Sequence, residues 1–201
     1  MTRESLAFAL SGVFFGLLVG WIIGSQQAAG PSSARGAAAP AAAASAPERP
    51  APPPLDERRA DELRAAAQQS PSDAKTRVAL GNLYFDAERY DEAIKWYEAA
   101  LRIEPRDPNV STDLGVAYYY TNQPDRALAQ FDKSLAVDPK HAKTMLNMGI
   151  VRAYGKQDLA GAVEVWRRVI EIAPESDEAR VARQALETLK AAHPGVGTGG
   201  Q

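Results

Sequence analysis

Few side chains in this 201-residue chain are placed for catalysis. Its two histidines are His141, just after Pro139-Lys140, and His193, close to the carboxyl end. Neither sits in a nucleophile or acid–base motif, and His141 is expected as a solvated or capping residue of a turn. The paired acids Asp91-Glu92 and Asp177-Glu178 open helical stretches, where the positive end of the peptide dipole accounts for them. The chain has no cysteine, which removes thiolate nucleophiles, thiolate metal sites and disulfides and is compatible with an oxidising compartment. No phosphate-cradling glycine loop or metal-ligand spacing occurs. An enzyme is therefore not expected, nor a metal or other cofactor. Charge is nearly balanced, at −2, without the basic surplus of a nucleic-acid binder.

What remains is recognition chemistry, carried by rings and amides on a regular interval. Gly81, Gly115 and Gly149 are 34 residues apart, as are Ala93 and Ala127, and Pro105 and Pro139. Ala162 and Pro174 each arrive one residue late, at 35. Glycine inside a helical pattern costs about 1 kcal/mol against alanine, so its recurrence implies a neighbour pressed against the backbone. That neighbour is a second helix, with Ala93, Ala127 and Ala162 as its small surface. Tyr97, Phe131 and Trp166, one turn further on, fill the space between helix pairs. The prolines cannot continue a helix and turn the chain into the next unit.

This pattern resembles the tetratricopeptide repeat family in three copies, residues 74–107, 108–141 and 142–176. The family motif is met at Leu80-Gly81-x-x-Tyr84, Leu114-Gly115-x-x-Tyr118 and Met148-Gly149, then at the alanines, rings and prolines above. The third copy departs from it: Arg152 stands where tyrosine is usual, and the segment Tyr154 to Gly161 is expected to hold one extra residue in its loop. The resemblance implies an all-α helix-turn-helix superhelix whose concave face, lined by the first helices, holds a peptide or partner segment. By repeat position that face carries Lys75, Asn82, Phe85, Asn109, Thr112, Tyr119, Tyr120, Lys143, Asn147 and Tyr154, with Val78, Val116 and Ile150. Phe85, Tyr119, Tyr120 and Tyr154 exceed what packing demands, since Tyr84 or Tyr118 already supplies the interior ring at that level.

One subclass of the family grips the terminal carboxylate of chaperone tails with a clamp of Lys and Asn. The matching positions here are Val78, Asn82, Asp113, Lys143 and Asn147. Only Asn82 and Lys143 fit, and Asp113 would repel a carboxylate. The overall plan is also similar to the membrane-anchored repeat proteins of cytochrome c maturation, in which the array holds apocytochrome for haem attachment. Gly161-Ala162-Val163-Glu164-Val165-Trp166 contributes to that likeness.

The segments flanking the repeats have readings of their own. After a short flank, 1–5, residues 6–24 are 19 positions without a charge, long enough at about 1.5 Å per residue to span a bilayer core of roughly 30 Å. Trp21 lies near the distal end, where an interfacial indole is expected. Arg3 precedes the span and the first basic residue after it is Arg35. The positive-inside rule then puts the amino terminus in the cytoplasm and the repeats outside it, which in a Gram-negative cell is the periplasm, with the anchor in the inner membrane. The run is longer than a usual cleaved signal core, and Gln26 and Gln27 spoil a small-x-small cleavage site. Gly12, Gly16, Gly20 and Gly24 form a row that would let two such helices pair in lipid. Residues 25–54, with seven prolines and three charged side chains, are expected to be a disordered tether.

Residues 55–73 form a half-repeat cap in which the register puts Leu63 and Ala66 at the ring and small-residue positions. Residues 177–192 supply a second capping helix, because the ends of an array are atypical. The glycine-rich tail, 193–201, is expected to be unstructured. The function these readings support is a membrane-anchored scaffold that binds a partner protein in its groove for envelope assembly. Cytochrome c maturation is the narrower alternative.

Overall fold

The computed structural model describes residues 51–193, all within one compact unit. The expected anchor with its glycine row, most of the tether and nearly all of the tail lie outside these residues. Among the described residues there are eight α-helices and no strand, and no helix is long and apolar enough to cross a membrane.

In chain order the helices are α1 (Glu57–Gln69), α2 (Ala74–Asp86), α3 (Tyr90–Ile103), α4 (Pro108–Tyr120), α5 (Pro124–Val137), α6 (Ala142–Ile150), α7 (Leu159–Ile172) and α8 (Asp177–Ala192). Asp73 and Asp107 cap α2 and α4 by accepting the backbone N–H groups of Lys75 and Thr76 (2.9 and 3.3 Å) and of Asn109 and Val110 (2.8 and 3.1 Å). This satisfies donors that the first turn leaves without partners. His141, 34 residues after Asp107, precedes α6 without making such a bond.

Each pair closes ring on glycine. A side-chain carbon at Gly81 would overlap Cε1 of Tyr97, one at Gly115 would overlap Phe131, and one at Gly149 the indole of Trp166. All three rings are buried, as are Ala93, Ala127 and Ala162 and the first-helix rings Tyr84 and Tyr118. Trp166 satisfies its indole N–H on the carbonyl of Leu146 at 3.1 Å, and the Tyr97 hydroxyl donates to Oδ1 of Asn82 at 2.8 Å. Outside the pairs, guanidinium groups cover the two tyrosines. Arg64 and Arg89 lie 5.7 and 5.1 Å from the Tyr84 centroid, and Arg126 lies 4.0 Å from that of Tyr118, within cation–π range.

At the amino-terminal end, α1 buries Ala60, Leu63 and Ala67 against the array. Ala66, expected at the small-residue position, is only half-buried. At the other end α8 covers α7 with Ala179, Ala182, Ala185 and Leu189.

The extra residue of the third copy is not in its loop, contrary to the sequence expectation. All three loops are three residues long, and each carries one left-handed residue at its centre: Glu88 (φ 56°), Asn122 (φ 59°) and Gln157 (φ 56°). The first helix instead runs on from α6 through a π turn, Val151–Gly155. There the amide of Lys156 reaches back five residues to the Val151 carbonyl at 3.0 Å. A π turn accommodates one residue by widening a helix, and such turns recur at functional sites. Arg152 occupies the tyrosine position and bonds Oδ2 of Asp158 at 2.8 Å, while Asp158 caps α7 through the amide of Gly161 at 2.9 Å. That amide, followed by Arg152, holds the Asp158 carboxyl below its usual range.

We expect Gly115→Ala to destabilise the array. Helix propensity alone would add about 1 kcal/mol of stability, but overpacking costs about 1–3 kcal/mol. Because the new methyl would meet a buried ring on an opposing helix, the loss should dominate, by roughly 2 kcal/mol in urea unfolding. A neutral result would show that the ring retreats freely.

Candidate functional site

The first helices of successive pairs lie side by side, and their contacts define one continuous face. Phe85 at the end of α2 meets Tyr120 of α4 edge-on at 5.7 Å. Lys143 of α6 pairs with Asp113 of α4 at 2.7 Å. Nε2 of His141 lies 3.2 Å from Oδ1 of Asn109.

Rings gather where the first helices end. Tyr90 stacks on Tyr120 at 4.7 Å and 11°, and Phe85 closes on Tyr90 edge-on at 5.1 Å. Tyr119 continues the row beside Tyr120 at 6.0 Å. A side chain at Gly155 would stand 3.1 Å from the Tyr119 ring, so the π turn brings its backbone, and Tyr154 with it, up to the row. All five rings are half-buried. Burial pushes the hydroxyls of Tyr119 and Tyr154 above their usual range, and for Tyr119 the neighbouring Tyr120 and Tyr154 add to this. Tyr118, one residue behind the row, faces the other way. Its hydroxyl donates to Glu98 at 2.6 Å and is pushed up to about 12, chiefly by burial and then by that bond.

The remaining predicted face residues divide. Lys75, Asn82, Asn109 and Lys143 are exposed, and Asn147 is half-buried with its amide donating to the Lys143 carbonyl at 2.8 Å. Lys75 and Val78 border a cavity of about 180 Å³ floored by Ala74, Ala100 and Val110. Lys143 is not an open cation, because Asp113 already holds it.

Thr112 does not reach the face, contrary to the sequence reading: its side chain is 0% exposed. Its hydroxyl lies 2.6 Å from Thr144, 3.2 Å from Ser134 and 2.6 Å from the Pro108 carbonyl. The physical reason is the neighbouring repeat, whose Thr144 supplies a hydroxyl partner where an exposed residue would have met water. His141 joins this cluster, its Nδ1 2.6 Å from Thr144, and so is neither a free nor a capping side chain.

Sequence reasoning missed Tyr90 and Asp86. Tyr90 begins a second helix, and its counterparts in the other repeats are Pro124 and Leu159, so periodicity offers no signal for it. Asp86 remains accessible at the rim. Even so, partial desolvation, followed by repulsion from Asp113, pushes its carboxyl above the usual range. Among the described residues no cluster of three His, Cys, Asp or Glu side chains could hold a metal.

An α-helical repeat array with rings along its first-helix face is the class this geometry defines. Residues 81–122 match the family described as a TPR repeat, and residues 112–177 match the tetratricopeptide repeat. The helix pairs of this chain are tetratricopeptide repeats. A comparison with curated sequences finds no match. Among solved structures, the chain is similar to the first TPR of Spaghetti (RPAP3) bound to the HSP90 peptide SRMEEVD. That match has 27% identity and a TM-score of 0.54, covering 59% of this chain and 91% of that one. The TPR domain of Sgt2 from Aspergillus fumigatus matches at 28% identity and a TM-score of 0.54, covering 59% and 78%. MamA, at 17% identity and a TM-score of 0.55 over 66% and 80%, shares the fold.

Two substitutions separate packing from recognition here. Thr112→Val keeps the volume but breaks the hydroxyl cluster. It should cost about 1–3 kcal/mol in chemical unfolding without removing any side chain that a partner could touch; unchanged stability would place Thr112 outside the core. Asp86→Asn should raise the melting temperature near neutral pH. A carboxyl with a raised folded-state pKa is destabilising once ionised, so the penalty grows as pH rises through that value. At about pH 3 Asp86 is protonated in both the folded and unfolded chain and the gain should vanish. A gain of equal size at both pH values would refute the repulsion.

Proposed function

We propose that this chain is a scaffold that captures an extended or helical segment of a partner protein across the first-helix face. The observation that carries the proposal is the row Phe85, Tyr90, Tyr120, Tyr119 and Tyr154. These rings keep open surface although the interior is already filled by Tyr84, Tyr97, Tyr118 and Phe131. Rigid rings give large contact area for little entropy, which is why such residues anchor interfaces. A tetratricopeptide array is typically an interaction scaffold, and the similar RPAP3 domain is bound to a peptide.

We further propose that residues 6–24 anchor the scaffold in a bacterial inner membrane, with the repeats on the periplasmic side and residues 25–54 as the connection. The support is the uncharged run of 19 residues and the basic residue before it. The glycine row Gly12 to Gly24 would allow pairing of two copies. The narrower assignment to cytochrome c maturation rests on the general plan of anchor and array together with the 161–166 segment.

The test is site-specific photocrosslinking of the full-length chain in its own membrane. A photoreactive side chain replacing Tyr154 should form an adduct with one defined segment of a partner, and Phe85→Ala should reduce the yield. The same group replacing exposed Ala129 should not form that adduct. Equal adducts from both positions, or none at Tyr154, would refute recognition at this face. Recovery of apocytochrome or a haem-attachment component would favour the narrower assignment, and its absence would remove it.

A further inference from the structure

Away from the ring row, an open cavity of about 490 Å³ lies between α1 and α3, lined by Arg64, Ala67 and Gln68 of α1, Pro71 of the following loop, Arg77 of α2 and Trp96 of α3. The repeat supplies its own comparison, because the same positions recur at the next two junctions. Where Ala67 stands, they carry Leu101 and Leu135, both packed against the interior. Where Arg77 and Trp96 stand, the second junction carries Ser111 and Gln130, both buried, with Nε2 of Gln130 donating to the Ser111 hydroxyl at 2.8 Å. The third carries buried Met145 and, packed beside it, Val165. Two junctions are thus closed, one by a donor–acceptor pair and one by apolar contact. The first is left open by its small residue.

The open junction also lacks an acceptor. Arg77 and Trp96 have only donors, so neither can satisfy the other. Arg77 spends three of its five N–H groups on the carbonyls of Ser70 at 3.2 Å, Asp73 at 2.6 Å and Ala67 at 3.2 Å, and it forms no ion pair. The Asp73 carboxylate caps α2 instead, and among the groups that hold it below its usual range Thr76 comes first and Arg77 last. The indole N–H of half-buried Trp96 meets no acceptor among the described residues, although a packed tryptophan ordinarily finds one. The other lining cation, Arg64, is committed to Asp61, to the Tyr84 hydroxyl and to Glu57 at 3.8 Å. No carboxylate lines the cavity.

We propose that this cavity is a second docking site, which takes an acidic segment of a partner protein. A bulky apolar side chain lies on Trp96, Ala67 and Pro71, and a carboxylate beside it accepts from the N–H groups that Arg77 and Trp96 leave open. A charged acceptor suits this place better than a neutral one, because it meets a guanidinium without a carboxylate partner as well as an unused donor. The site shares no residue with the ring row and does not depend on recognition there.

The test measures binding of short synthetic peptides to the full-length chain by calorimetry. Each peptide keeps one phenylalanine or leucine and carries glutamate, glutamine or lysine on both sides of it. Glutamate members should bind about tenfold more tightly than lysine members, a difference of about 1.4 kcal/mol, and high salt should narrow the gap. Ala67→Leu, which copies the other repeats, should abolish binding of every member without lowering the melting temperature. Trp96→Phe keeps the ring and removes the N–H; it should weaken glutamate members severalfold and leave lysine members unchanged. Phe85→Ala, in the ring row, should change nothing. Binding of no member, binding that survives Ala67→Leu in a folded chain, a lysine preference, or indifference of glutamate members to Trp96→Phe would overturn the proposal. Self-association abolished by Ala67→Leu, or tighter binding of a synthetic peptide of residues 40–54, would overturn it too, giving the cavity to a second copy or to the chain's own proline-rich segment.

Discussion

The contact on which the structure depends is an aromatic ring laid on a glycine backbone. Tyr97 on Gly81, Phe131 on Gly115 and Trp166 on Gly149 each fill the gap where a methyl would otherwise stand. This one contact sets how close the two helices of a pair come. It also decides which side of the first helix faces inward, and so which side is left for recognition. The polar edges of the rings carry the consequence outward. The Tyr97 hydroxyl ends on Asn82, a face residue, whereas the Trp166 indole ends on the Leu146 carbonyl inside its own pair. Ring identity thus tunes the face above it without altering the pair below.

The third pair shows how firmly this contact is kept. With one more residue than its neighbours, it could have lengthened its loop, or moved Trp166 off Gly149. It did neither. The residue is taken up by widening the end of the first helix, so the ring-on-glycine contact and the three-residue loop both survive. Arg152 then fills the tyrosine position with a bond to Asp158, although its Nε finds no acceptor. The π turn shifts the register at the helix end, which sets Gly155 against Tyr119 and continues the ring row into the third repeat.

Much of this was legible in the sequence because it depends on size at a fixed interval. Small and large residues recurring at 34 announce close approach, and the prolines mark the turns, whatever the neighbouring repeat contains. The face was less legible because exposure is decided by the adjacent repeat. Thr112 and Asn109 look alike by position, yet Thr144 and Ser134 draw one inward while the other stays outside. Lys143 reads as a groove cation until Asp113, one helix away, is seen to hold it. Tyr90 has no counterpart in the other repeats, so periodicity was silent about a ring that stacks at the centre of the row. The extra residue was countable, but spacing between Gly149 and Ala162 cannot distinguish a longer loop from a wider helix.

The same hydroxyl cluster that removes Thr112 from the face also explains how the two ends of the row keep their relation. Two apolar clusters make up the interior, one reaching from α1 to Met148 and Val151 and the other from Met145 to α8. Where α4, α5 and α6 meet stand Thr112, Ser134 and Thr144, all fully buried. Their hydroxyls lie within hydrogen-bond distance of one another and of the Pro108 carbonyl, and that of Thr144 also reaches Nδ1 of His141. Nε2 of His141 in turn lies 3.2 Å from Oδ1 of Asn109. Apolar surfaces tolerate sliding, whereas a satisfied polar layer penalises every register but one, since a shift leaves buried hydroxyls without partners. Tyr120 and Tyr119 stand on one side of that layer and Tyr154 on the other. A partner segment crossing from one to the other therefore meets rings whose spacing is held by directional bonds rather than by hydrophobic contact alone.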